Sequence, residues 1–201
     1  MTQTLTGLFD HYDDAKRAVE RLEEAGVPHS DISVVASNAD GAHGEGAATA
    51  AGEDATTGAG IGATVGGIGG LLAGLGLLVI PGVGPVVAAG WLGATIIGAI
   101  GGGAVGAAAG GLVGGLTHSG VPENDAHVYA EGVRRGGSLI TARVDEALTS
   151  KAQDILKSGN SVDIAERAAA YRNSGWTRFD ETAPAYTSTQ VVDERNRFER
   201  A

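Results

Sequence analysis

The sequence has no cysteine, one methionine, two tryptophans and three phenylalanines in 201 residues. Without cysteine there is no disulfide, no thiolate metal ligand and no thiol nucleophile, and the absence fits a cytosolic face. Basic residues are also scarce. Lys and Arg number 14 against 24 Asp and Glu, a net charge of −10. The densest basic spot is the pair Arg134 and Arg135. Nothing forms the basic stripe that phosphate neutralisation needs, so nucleic acid is excluded as a partner. The same charge disfavours anionic headgroups. Residues 1–9 have neither a basic n-region nor an apolar h-region, so export by the general route is not expected.

Charge is missing from one place in particular. None of the Lys, Arg, Asp or Glu residues lies in residues 55–122, which hold 23 of the 34 glycines. The composition therefore averages two materials. The remainder has the charge density of an ordinary soluble surface and is long enough for a modest core.

Outside that segment the hydrophobic pattern is regular. Residues 5–9 read as a strand. Residues 12–25 read as a helix with Ala15, Ala18, Val19, Leu22 and Ala25 on one face. Asp10 is placed as its N-cap and Gly26 as its stop. Residues 32–36 form a buried-type strand. Residues 37–55, rich in Gly, Ala, Asn and Asp, read as a flexible linker.

After the glycine-rich segment, residues 123–135 read as a helix. Pro122 sits at its entry, acids in its first turn and arginines in its last. A strand over 139–144, a helix over 147–158 and a short strand from 162 follow. The expected fold is α+β, a ferredoxin-like or ACT-like sandwich with helices on one face of an antiparallel sheet. The two halves, residues 1–36 and 118–166, are split by an insert at 56–117. Residues 167–201 read as a mostly disordered tail.

The insert carries two four-residue ladders. The first is Gly58, Gly62, Gly66, Gly70, Gly74; the second is Gly90, Ala94, Gly98, Gly102, Gly106, Gly110, Gly114. Between them lies Pro81-Gly82-Val83-Gly84-Pro85, expected as a turn. Glycine costs about 1 kcal/mol per position in an exposed helix, and a linker would not use the intervening Ile, Leu, Val and Ala. Small residues at i, i+4 let another backbone approach closely. The expectation is a glycine-zipper helical hairpin. A helix over 58–80 would extend far enough to cross a hydrocarbon core of about 30 Å. The zippers would pack in a bilayer or against copies of the chain. Trp91 suits a membrane interface.

Little here promises catalysis. Gly101-Gly102-Gly103-Ala104-Val105-Gly106 fits a dinucleotide fingerprint by spacing, but follows no strand. No cofactor is expected. His11, His29, His43, His118 and His127 form no pair spaced for a metal. His118 and His127 flank the end of the insert and could meet. The acids of the first helix alternate with Lys16, Arg17 and Arg21, as on a solvated face. No nucleophile elbow occurs. Tyr129, Arg134 and Arg135 could line a small anion site, against the plainer reading of helix amphipathicity and dipole complement.

The run Thr6-Gly7-Leu8-Phe9-Asp10, its Ala15, Ala18, Leu22 helix with Gly26, and Asp31-Ile32-Ser33-Val34-Val35 resemble the heat-induced or general stress protein domain of the YflT type. Ile80-Pro81-Gly82-Val83-Gly84-Pro85-Val86 inside a glycine zipper is similar to many members. So are Gly120-Val121-Pro122-Glu123, Tyr129, Glu131, Gly132 and Arg135-Gly136-Gly137, and the tail's Glu166-Arg167 and Ser174-Gly175-Trp176. The resemblance spans residues 4–186. It implies a bacterial, stress-linked, non-enzymatic protein associated with membranes, and it brings no catalytic residues. The expected function is a structural or interaction role: the hairpin at the inner membrane in contact with lipid, the α/β domain cytoplasmic. The alternatives are a soluble, cytoplasmic homo-oligomer built on the zipper, or an ACT-like domain binding a small ligand.

Overall fold

A computed structural model describes residues 2–39, 76–101 and 111–199. The chain forms β1 (Thr2–Phe9), α1 (Tyr12–Glu24) and β2 (Ile32–Ser37), then β3 (Gly76–Ile80) and β4 (Gly84–Ala89). Helices α2 (Gly90–Gly101), α3 (Gly111–His118) and α4 (Glu123–Arg134) follow. The chain ends with β5 (Ser138–Asp145), α5 (Thr149–Ser158), α6 (Ile164–Asn173) and α7 (Ser188–Glu199).

The five strands make one sheet in the order β1-β5-β2-β4-β3, with every neighbour antiparallel. β5 lies between β1 and β2, which α1 connects. This is a split β-α-β arrangement, and the fold is α+β as expected. Helices cover both faces rather than one, because the inner strands β5, β2 and β4 bury residues on both of their sides. Leu5, Phe9, Ile140, Ala142 and Val144 pack with α1 and α5. Leu8, Leu139, Val35 and Ala88 point the other way, to a second core shared with α2, α3 and α4.

The first half follows its hydrophobic pattern closely. Ala15, Ala18, Val19 and Leu22 of α1 are buried. The helix ends where Gly26 takes φ +99°, with Val27 N–H donating to Leu22 O and Gly26 N–H to Glu23 O. That is a glycine-closed helix end in which two spare carbonyls are satisfied. Its N-cap is His11 and makes no side-chain cap bond. Asp10, expected there, is drawn instead into an ion pair with Arg167 at 2.7 Å.

The helical hairpin is corrected where it is described. Residues 76–80 and 84–89 are strands, not helix. The two runs are short and rich in Val, Leu and Ile, and the turn between them has hairpin chemistry. Val83 N–H donates to Ile80 O at 3.1 Å, with Pro81 at the first corner and Gly82 at φ +73° in the second. This is the type II arrangement, which asks for proline and then glycine. Pairing β4 with β2, Val34 to Ala89 through Ser37 to Val86, satisfies backbone groups that an isolated apolar helix would satisfy internally. Pro85 sits inside β4, opposite Val79.

No described helix is long and apolar enough to cross a membrane. Leu92 and Ile96 of α2 and Leu112 and Leu116 of α3 are buried in the second core, against the sheet. The residues expected to meet lipid there meet the protein's own strands. Gly58, Gly62, Gly66, Gly70 and Gly74, and Gly102, Gly106 and Gly110, lie outside the described residues, as does most of the linker expected over 37–55. Ser37 itself closes β2.

The tail is also corrected. It contains α6 and α7 and packs on the domain through buried Tyr171, Phe179 and Val191. Its low mean hydropathy conceals a few apolar anchors at wide spacing. The last strand reduces to one bridge, Phe9 to Ser161. Asp163 then accepts from the N–H groups of Ala165 and Glu166 and starts α6, a helix N-cap.

Candidate functional site

Two sets of polar residues meet the tail. The first is an ion network on α4. Glu131 is fully buried. It accepts from Arg135 Nε at 2.6 Å and Arg134 Nη1 at 3.2 Å, and Arg135 Nη1 donates to Glu194 of α7 at 2.6 Å. Arg134 also donates through Nη2 to Pro184 O at 3.0 Å. Arg135 lies over the Tyr171 ring, 4.1 Å from its centroid. Burial works against its charge, but the hydrogen bonds to Glu194 and Glu131 outweigh that and hold the guanidinium more firmly protonated.

The anion site that Tyr129, Arg134 and Arg135 could line is therefore not assembled, and the plainer reading of these side chains stands. The chain's own carboxylates and carbonyl occupy the arginine donors. Tyr129 points to the sheet, its hydroxyl 3.5 Å from Thr6 O. Burial, and then the charge of Asp125, push the Tyr129 phenol up to about 12. The Tyr171 phenol is pushed up to about 12 by burial, with the Arg167 and Arg135 charges offsetting part of that.

The second set lines a cleft of about 750 Å³ between α3, the start of α4 and residues 177–182. Its apolar floor is Val113, Val121 and Phe179. His127 Nε2 lies 3.7 Å from Glu123 Oε1 and 3.3 Å from Arg178 Nη2, and its Nδ1 is buried without a hydrogen-bond partner. Asp180 accepts from the Thr182 hydroxyl and N–H, at 2.6 and 2.8 Å, which holds its carboxyl below the usual range. The cleft joins acid and base side chains to a nonpolar floor. It can hold a small polar molecule, but no nucleophile in it is activated by a neighbouring base. Among the described residues no group of three metal-ligating side chains occurs. His118 does not join His127; it lines a separate, smaller cleft.

Of the ladder glycines that are described, Gly90 does different work from that expected. Gly90 opens α2 at φ +81°, and a methyl group there would strike the Ile32 carbonyl oxygen. Gly98 lies within α2, and Gly114 within α3 lines the large cleft. The close contact between α2 and α3 falls one residue on, at Gly115, where a methyl group would lie 3.0 Å from Leu92 Cδ1. Gly82 and Gly84 admit the tail. A methyl group on Gly82 would lie 2.6 Å from Glu181 Cα, and one on Gly84 2.6 Å from Ala185 Cβ.

Sequence reasoning missed Glu131, Glu194, Arg167 and the His127–Arg178 pair. Glu131 had a signal, its spacing of three and four from Arg134 and Arg135 on one helix. Glu194 and Arg178 had none, since their partners are distant in the chain.

Fold and site together define an α+β domain whose buried charged groups hold the chain to itself, with no catalytic constellation among the described residues. The family model for the heat induced stress protein YflT domain matches residues 4–80. The resemblance read from Thr6 through Val35 holds. No curated protein and no solved structure matches the chain.

Proposed function

We propose that the protein serves a stress response by binding or scaffolding, without catalysing a reaction. The observation that carries this reading is the match of residues 4–80 to a heat-induced stress domain. The site chemistry supports it, because the buried charges Glu131, Arg135 and Arg167 are spent on internal ties. Insertion of the whole hairpin into a bilayer is not part of this reading, since α2 and α3 have their apolar residues in the core. The charge-free ladder Gly58, Gly62, Gly66, Gly70 is the surface assigned to association of copies.

In a deletion strain exposed to heat, a chain carrying Glu123→Gln, His127→Ala and Asp180→Asn should restore survival as the native chain does. A folded variant that fails to restore it would make the cleft's chemistry essential and overturn the reading. In fractionation the full chain should leave membranes on carbonate washing; retention would restore an inserted hairpin. Gly66→Leu should reduce association in sedimentation; unchanged association would remove the ladder from the interface.

A further inference from the structure

A second cleft, of about 290 Å³, opens where the sheet meets the start of α2 and the end of α3. It is lined by Thr2 and Thr4 of β1, Arg143 of β5, Trp91 and Thr95 of α2, and His118 with Ser119. No carboxylate is among its described lining residues, in a chain of net charge −10. The guanidinium carbon of Arg143 lies over the Trp91 ring, 3.8 Å from its centroid. Trp91 is itself fixed, its Nε1–H donating to Asp31 O at 3.2 Å. Contact with a held indole restrains the cation while its N–H donors stay available, since a cation–π contact uses the ring face and not the donors. Unlike Arg134, Arg135 and Arg167, Arg143 has no carboxylate partner among the described residues.

The register extends this polar surface inward. Thr2, Thr4 and Thr6 share one face of β1 at period two. Thr4 pairs across the ladder with Arg143, and Thr6 with Thr141. The hydroxyls of Thr6 and Thr141 are buried and have no hydrogen-bond partner. Threonine at these positions gives nothing to the apolar core that fills the same face one row away, at Leu8 and Leu139. Thr95 and Ser119 donate to Trp91 O and Gly115 O, one helical turn back. The donors left for a guest are the Arg143 edge, the Thr2 and Thr4 hydroxyls, and His118.

We infer that this cleft binds a phosphate group, either free phosphate or the phosphomonoester of a lipid headgroup. A planar guanidinium edge beside hydroxyl donors matches the oxygens of that anion, and the cleft of about 290 Å³ has room for a phosphate together with its ester group or bound water.

The test uses the full chain and follows the Trp91 indole N–H resonance, one of two such signals. Inorganic phosphate should shift it saturably, at constant ionic strength, where chloride does not. In a second arm, phosphatidylcholine vesicles containing phosphatidic acid should sediment the protein if the source is a headgroup, and pure phosphatidylcholine vesicles should not. A response in either arm supports the site and identifies its source. Arg143→Gln, at an exposed position, should weaken that response at least tenfold. No response in either arm, an equal response to chloride, or an unchanged response in Arg143→Gln would overturn it.

Discussion

Arg135 of α4 and Glu194 of α7, 59 residues apart, meet at 2.6 Å, and Arg135 holds buried Glu131 on its other edge. This guanidinium is one of the ties between the tail and the domain, beside the Arg167–Asp10 pair. Removing a charge from such a network costs according to what it strands. Glu194→Gln leaves Arg135 its Glu131 partner and should cost about 1–2 kcal/mol. Glu131→Gln removes the fully buried carboxylate that serves both Arg134 and Arg135, leaving them Pro184 O and Glu194, and should cost more, roughly 3 kcal/mol. Urea unfolding of the two variants tests the ranking.

Phe179 anchors residues 177–182 in the second core and is 5% exposed. Phe179→Ala should lower stability by about 3–5 kcal/mol. Val192→Ala, adjacent to buried Val191, should change it by less than about 0.5 kcal/mol, because Val192 is 49% exposed. Thermal melts of both would separate a packed tail from a loose one.

Two glycines with positive φ should respond differently to alanine. Gly120 has φ +93° and nothing within 4 Å of an added methyl group, so Gly120→Ala should cost only the backbone strain, about 1 kcal/mol. Gly90 has φ +81° and faces the Ile32 carbonyl oxygen, which is part of the sheet. Gly90→Ala adds a backbone clash to the same strain and should cost several-fold more in a denaturant titration.

Tyr129 and Tyr171 both ionise near 12 in the folded chain, against an ordinary phenol value near 10. A raised folded value means that the unfolded chain loses its protons first as pH rises. Their contribution is therefore full below pH 10 and falls away as pH rises from 10 through 12. Ultraviolet titration should show phenolate appearing late, together with unfolding. In Tyr171→Phe, the alkaline loss of stability should be smaller than in the native chain.

The β1–α1–β2 half was legible because its periods of 2 and 3.6 are clean and Gly26 marks the stop. β5, α4 and α5 were legible for the same reason. The glycine-rich segment was not. In Gly76–Ile80 and Gly84–Ala89 the spacing of glycines suits a helix, while β-branched residues around Pro81-Gly82 suit a hairpin. Periodicity alone does not separate the two; pairing with β2 decides it, and that is a long-range event. The tail misled through composition. Its charges are what bind it: Arg167 to Asp10 and Glu194 to Arg135. The donors of Arg134 and Arg135 are filled by Glu131, whose spacing was readable, and by Glu194 and the Pro184 carbonyl, which lie far along the chain. The polar row Thr2, Thr4, Thr6 was readable as an alternation, but its meaning depends on Arg143 across the ladder.

The central claim is that residues 76–89, in the middle of the glycine-rich segment, form a β-hairpin built into the sheet of an α+β domain. Nuclear Overhauser spectroscopy on the full chain without detergent tests it most directly. The account predicts cross-strand contacts between the backbones of Val35 and Ala88, and of Leu77 and Val87, which the register pairs. Runs of i to i+3 contacts through residues 76–89, with no contact to β2, would contradict it and restore the helical hairpin.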